Sequence, residues 1–358
     1  MTELSEARRF EGMRRGLDAL LNSMGRPVTF MEVCGTHTVS IFRSGLRSLL
    51  PEELRLLSGP GCPVCVTDQS EIDMALTLAE KDCIVLSYGD MLKVPGSSGS
   101  LLDLKSRGAR VEVITSAIQS LEVARSRPDS QVVFLGVGFE TTAPATAVTL
   151  KRALLHDLSN LSVLCLHKTI PPILRTLSSN PALSIDGFIL PGNVTVVSGL
   201  EDYVFLTDEL RKAAAVAGFE PEEILAALVD LSRQTETGRF RLSAYRMREV
   251  PRAGNPAARK ILSEVFEPCD ARWRGLGLIP ASGYRIGKSY ARFDALERFG
   301  LAPAPAREDG CRCGDVLSGL LTPPECELYG TACTPLTPVG PCMVSGEGTC
   351  GAWHRYHR

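Results

Sequence analysis

From Pro27 onward, short β-branched runs alternate with helical stretches, and each run closes on a Gly-containing loop. Such alternation is the mark of parallel strands joined by helical crossovers, and it confines the chain to α/β architectures. Strands are predicted at 28–33, 54–58, 84–87, 111–115, 131–137, 161–166 and 187–190, and helices at 40–50, 203–214 and 221–234. A further helix is predicted over 68–81, where Asp68 and Glu71 have capping-box spacing. At 358 residues the chain exceeds one ordinary core. The expected organisation is two lobes with mostly parallel sheets facing a central cleft, 1–125 and 126–275. An irregular Cys-rich region follows at 276–358, entered through the extended run Ala302-Pro303-Ala304-Pro305-Ala306.

The 39 basic and 41 acidic residues leave a net charge of −2. That balance argues against a nucleic-acid footprint or an anionic membrane surface as partner. With no signal-peptide pattern and no apolar run near the roughly 18 residues of a membrane span, a cytoplasmic location is expected. The twelve cysteines are then the anomaly. A reducing compartment does not keep structural disulfides, so metal or redox chemistry is their natural use.

Six of them, Cys311, Cys313, Cys326, Cys333, Cys342 and Cys350, crowd into a stretch with too few large apolar residues for a core of its own. Their dispersion suits an iron–sulfur cluster, which takes four thiolates from irregular chain, better than zinc, which favours close pairs. Spacing does not choose the four.

Near the front, Cys62-Pro63-Val64-Cys65 falls between a predicted strand and helix, where helix amides lower thiol pKa values. The pair reads as a redox dithiol or as part of a metal site. Cys34 also ends a predicted strand and is followed by Gly35-Thr36-His37-Thr38. Cys34, Cys62 and Cys65 with His37 nearby suit an iron ion whose other positions are filled by other molecules. His37 serves equally well as a capping or hydrogen-bonding residue. These loops share the carboxyl ends of the predicted strands with 138–142 and 191–193, the edge where α/β folds bind ligands. The turn from Gly136 to Pro144 lacks the lysine of a P-loop and the dinucleotide fingerprint, so Glu140 reads as a carboxylate facing the cleft. Asp90 and Lys93 offer further polar lining.

Five segments together resemble the HypD family of nickel–iron hydrogenase maturation factors over residues 28–351. They are Phe30-Met31-Glu32-Val33-Cys34-Gly35-Thr36-His37-Thr38, Gly59-Pro60-Gly61-Cys62-Pro63-Val64-Cys65, the 88–97 run Tyr-Gly-Asp-Met-Leu-Lys-Val-Pro-Gly-Ser, the 138–144 run Gly-Phe-Glu-Thr-Thr-Ala-Pro, and the Cys-rich stretch 325–350. The resemblance implies a scaffold that pairs with a HypC-type chaperone and holds one iron while two cyanides and one carbon monoxide are attached. Cyanide arrives from a HypE-type partner, and the unit passes to the hydrogenase large subunit. By the same resemblance Cys34 is the iron ligand, with Cys62 and Cys65 as second ligand or redox pair, and Glu140 and His37 as outer groups that orient ligands or move protons. A 4Fe-4S cluster falls to Cys313, Cys326, Cys333 and Cys350, with Cys342 as the contender. Two positions depart from the pattern: Val39 stands where some relatives carry histidine, and Asn193 where many do. The competing reading is a cluster-dependent thiol–disulfide oxidoreductase acting on a protein partner, which shares these cysteines but does not need Cys34.

Overall fold

The structure, a computed structural model, describes residues 3–245, 249–304 and 310–357, so Pro305 and Ala306 of the expected linker lie outside the described residues. Eleven strands are described: β1 (Val28–Glu32), β2 (Leu54–Ser58), β3 (Cys83–Ser87), β4 (Val111–Val113), β5 (Gln131–Gly138), β6 (Leu161–His167), β7 (Gly187–Pro191), β8 (Ala213–Ala217), β9 (Leu242–Tyr245), β10 (Phe266–Trp273) and β11 (Gly277–Ile286). They form a five-stranded sheet in the order β2-β1-β7-β8-β9, a four-stranded sheet in the order β4-β3-β5-β6, and a β10-β11 ribbon. Every pairing in the two larger sheets is parallel, while the ribbon is antiparallel. The protein is thus an α/β structure with mostly parallel sheets and a Cys-rich C-terminal region.

Sheet membership follows a path that strand patterning does not encode. The chain lays down β1 and β2, leaves to build the whole second sheet, and returns with β7 to β9. β3 pairs with β5 across the boundary expected at 125, and β10 pairs with β11 across that expected at 275. β3, β7 and β8 are buried at every position. Continuous apolar runs of this kind belong in parallel sheets covered by helices on both faces.

Two predicted helices change character. The one expected at 40–50 is Gly35–Arg43 followed by a 3-10 turn, Leu46–Leu49, so the helix starts directly after Cys34. The one expected at 203–214 is a single turn, Phe205–Asp208, followed by β8, whose Ala-Ala-Ala-Val-Ala sequence has high helix propensity. Tertiary context overrides that propensity, because the small side chains sit fully buried between β7 and β9 with Pro221–Thr237 packed over them. The helix Gln69–Glu80 carries the predicted capping box of Asp68 and Glu71.

The C-terminal region is stabilised by docking rather than by its own core. Its helices Cys313–Ser318, Pro341–Val344 and Thr349–Tyr356 are short. Cys313, Leu317 and Cys342 enter the same apolar cluster as Cys62, Cys65 and Trp273. Trp353 meets the edge of Phe42 at 5.3 Å, with the Arg47 guanidinium 4.5 Å above the indole. None of the described helices is long and apolar enough to cross a membrane.

Candidate metal centre

Cys34 is the N-cap of Gly35–Arg43, held in extended backbone geometry between β1 and the helix. Its amide donates to Glu32 Oε2 at 3.0 Å, and the Thr38 hydroxyl donates to Glu32 Oε1. Glu32 lies completely inside the protein, and burial pushes its carboxyl up to about 7. Burial likewise pushes the Cys34 thiol up to about 12, against the amides of His37 and Thr36 that favour the thiolate. Without a cation beside it the sulfur is a neutral thiol; a bound metal is what would ionise it.

The Gly59–Cys62 loop is pressed against this cap. The Gly35 amide donates to the Gly61 carbonyl at 3.2 Å. A Cβ at Gly61 would collide with the Cys34 amide nitrogen and Cα, so only glycine lets the two strand ends meet so closely. Cys62 then caps the helical turn Pro63–Val66, with its sulfur accepting from the Cys65 amide at 3.4 Å. Burial raises the Cys65 thiol well above its ordinary range. Desolvation therefore outweighs, at Cys65, the lowering expected from a helix start.

The C-terminal stretch closes over both motifs. The Thr36 hydroxyl donates to Glu347 Oε1 at 2.7 Å, and a Cβ at Gly35 would strike Glu347. The Ser345 hydroxyl reaches Asp90 Oδ2 at 3.4 Å, which brings in the 88–97 segment. The thiols of Cys65 and Cys342 interact, as do those of Cys342 and Cys350. At Cys342 the contact with Cys350 lowers the pKa, whereas the contact with Cys65 and burial raise it, and the balance is well above the ordinary thiol range. Cys350 is raised by Cys342 and then by burial.

All six C-terminal cysteines line one small pocket whose walls also include Val316, Leu328, Tyr329 and Met343. The Cys333 sulfur accepts from the Val339 amide at 3.4 Å, and a Cβ at Gly340 would run into the Cys311 sulfur. Among the described residues, no three His, Cys, Asp or Glu side chains gather as ligands of a single metal ion. The donor set fits a larger thiolate-bound group: six cysteines line one apolar pocket, and a cubane cluster needs four thiolates.

Two predicted site residues stand apart. The His37 ring is completely buried, donates from Nε2 to the Gly218 carbonyl at 2.8 Å and packs on Phe219. Burial pulls its pKa down to about 4, so it is neutral at pH 7, with Nδ1 unpartnered. Glu140 lines a different cavity, one with no cysteine in its wall. Glu32 and Glu347 are the residues that sequence reasoning passed over. Both lie inside the recognised motifs, but only the tertiary contacts to Cys34 and Thr36 single them out.

Comparison with known proteins identifies the family. The profile of the HypD family, described as "Hydrogenase formation hypA family", matches residues 11–357. The hydrogenase maturation factor HypD of Escherichia coli K12 is 41% identical over 353 residues, covering 97% of this chain and 94% of the relative. The protein of the same name from Cupriavidus necator is 43% identical over 344 residues, covering 93% and 91%. That from Rhodobacter capsulatus is 41% identical over 338 residues, covering 92% and 90%. The chain belongs to the HypD family of hydrogenase maturation factors.

Proposed function

We propose that this chain is a scaffold for assembling the Fe(CN)2CO unit of nickel–iron hydrogenase. It holds the iron together with a HypC-type chaperone, receives cyanide from a HypE-type donor, and passes the unit toward the hydrogenase large subunit. The observation that carries the reading is the convergence on one spot of Cys34, the Cys62/Cys65 turn and the C-terminal cysteines, joined through Gly61, Glu347 and Cys342.

Iron is the cargo here, and Cys34 is its thiolate ligand, giving up its proton as the metal binds. Thiolate donors make iron electron-rich, as cyanide and carbon monoxide require. Glu32 positions the ligand by fixing the Cys34 amide and the first turn of the helix. Cys62 and Cys65 stand ready as a second ligand or as a dithiol, which releases two electrons and two protons on closing to a disulfide. Cys313, Cys326, Cys333 and Cys350 are assigned to a 4Fe-4S cluster, leaving Cys342 as the thiol between it and Cys65. When bound, such a cluster supplies one-electron chemistry. Free thiols on this scale fit a cytoplasmic setting.

Iron analysis and visible absorption of anaerobically purified variants test the assignment. Cys34→Ala should lose the cluster-independent iron and keep the brown cluster absorption, whereas Cys326→Ser should lose the absorption. Full iron content in Cys34→Ala would instead favour the thiol–disulfide oxidoreductase, which does not use that thiol.

A further inference from the structure

A cavity of about 300 Å³ opens where the end of β5, the helix Gly192–Ser198 and the β10-β11 ribbon meet, and it contains no cysteine. Glu140 and Thr169 place it just beyond the carboxyl ends of β5 and β6, the general location of ligand crevices in α/β proteins. One sequence segment left unused by the cysteine chemistry, 138–144, contributes Glu140 to it.

Its polar groups are unevenly partnered. Arg259 bonds Asp202 Oδ2 at 3.0 Å and also the Ser198 carbonyl, so that cation is already engaged. Glu140 accepts from the Ile170 amide at 2.9 Å through Oε1, while its other oxygen, Oε2, is buried without a partner. Burial lifts the Glu140 carboxyl to about 7, with Asp202 adding to the rise. An acceptor left bare in such a place costs about 1–3 kcal/mol. Native proteins rarely leave one so without a ligand or a water to fill it. Pro171, Pro172, Val197 and Leu262 give the cavity apolar walls, and Tyr284 adds an aromatic ring.

We propose that this cavity binds a small organic cation, an alkyl guanidinium or alkyl ammonium, whose N–H groups pair with Glu140 and whose hydrocarbon part lies on the proline and valine walls. An anion would face Glu140 and Asp202 with Arg259 already committed. A neutral molecule would meet Glu140 largely in its protonated form, whereas a cation pairs with the carboxylate and holds Glu140 ionised. The Tyr284 ring adds an attractive surface for positive charge. The site is separate from the cysteines and does not depend on the iron assignment.

The test is isothermal titration of the full chain with butylguanidinium, and with butylurea as a neutral probe of similar shape. Butylguanidinium should bind at least about tenfold more tightly than butylurea, and Glu140→Gln should weaken it by about tenfold or more. Val197→Trp, which fills the cavity from its wall, should abolish binding. Thermal melts establish that each variant folds, and if Glu140→Gln does not, Val197→Trp and the urea comparison decide. Equal binding of the two probes, unchanged affinity in Val197→Trp, or no butylguanidinium binding to the parent chain would overturn the proposal.

Discussion

Gly61 rests against the backbone of Cys34 so closely that no other residue fits between them, and its carbonyl accepts the amide of Gly35. The spacing of the two Cys-bearing loops is therefore set by a hydrogen atom in place of a side chain. Gly61→Ala must push the loops apart. Overpacking of this kind costs about 1–3 kcal/mol, and the displaced Cys34 should no longer retain iron. Denaturant unfolding reports the first effect and iron analysis the second; a variant with parental stability and iron would show that the contact can be relaxed at no cost.

Glu32 carries the cap of the Cys34 helix from below. Glu32→Ala leaves the Cys34 amide without its acceptor inside the protein and the Thr38 hydroxyl with only the Cys34 carbonyl at 3.5 Å. The expected loss is about 1–3 kcal/mol for each buried group left unpaired. Glu32→Gln keeps one acceptor and should fall between the parent and Glu32→Ala in thermal unfolding.

Lys168 and Glu71 form an ion pair far from water, with side-chain exposures of 2% and 11%. Burial raises the Glu71 carboxyl, opposed by the charge of Lys168. Lys168→Met strands a buried carboxylate and should destabilise the fold by about 3–5 kcal/mol. Adding Glu71→Gln should recover a large part of that loss, measured as a double-mutant cycle.

Stability should fall on both sides of a plateau in pH, and four buried groups account for its edges: Glu140 and Glu32, both raised to about 7, and His167 and His37, lowered to about 3 and 4. Glu140 has a folded pKa of about 7, above its ordinary 4.5, so its contribution is complete at low pH and is lost as pH rises toward 7. His167 is held near 3 by burial, below its ordinary 6.5, so its contribution is complete above 6.5 and is lost as pH falls. Between about 4.5 and 6.5 the slopes cancel, because the folded chain keeps two protons, on Glu140 and Glu32, and the unfolded chain two, on the histidines. Glu140→Gln should halve the decline above pH 6.5, which is worth about 0.7 kcal/mol for each of the two carboxyls. His167→Gln should soften the acid edge. Urea unfolding across pH 4 to 8 checks both.

Much of this architecture was readable from the residues. The strand runs at 54–58 and 131–137 and the Asp68 cap lie close to their observed places, because alternation and capping chemistry are local. β8 was not readable, since a run of four alanines around Val216, rich in helix-favouring residues, is recruited as a strand only by neighbours distant in sequence. The helix after β1 was placed five residues late because nothing local marks cysteine as a cap. The sheet exchange, in which β7 returns to lie beside β1, follows from three-dimensional closure. At the site, soft-ligand chemistry picked out the cysteines, and the fold brings Cys65 to Cys342. The same logic could not separate Glu140 from them, because a carboxylate at a strand end looks alike whichever cavity it faces.

The most direct test of the scaffold is the infrared spectrum of the anaerobically purified chain, co-expressed with its host's maturation proteins. The account predicts cyanide and carbon monoxide stretching bands in the parent chain and none in Cys34→Ala. A spectrum without these bands from brown, cluster-bearing parent protein would contradict it.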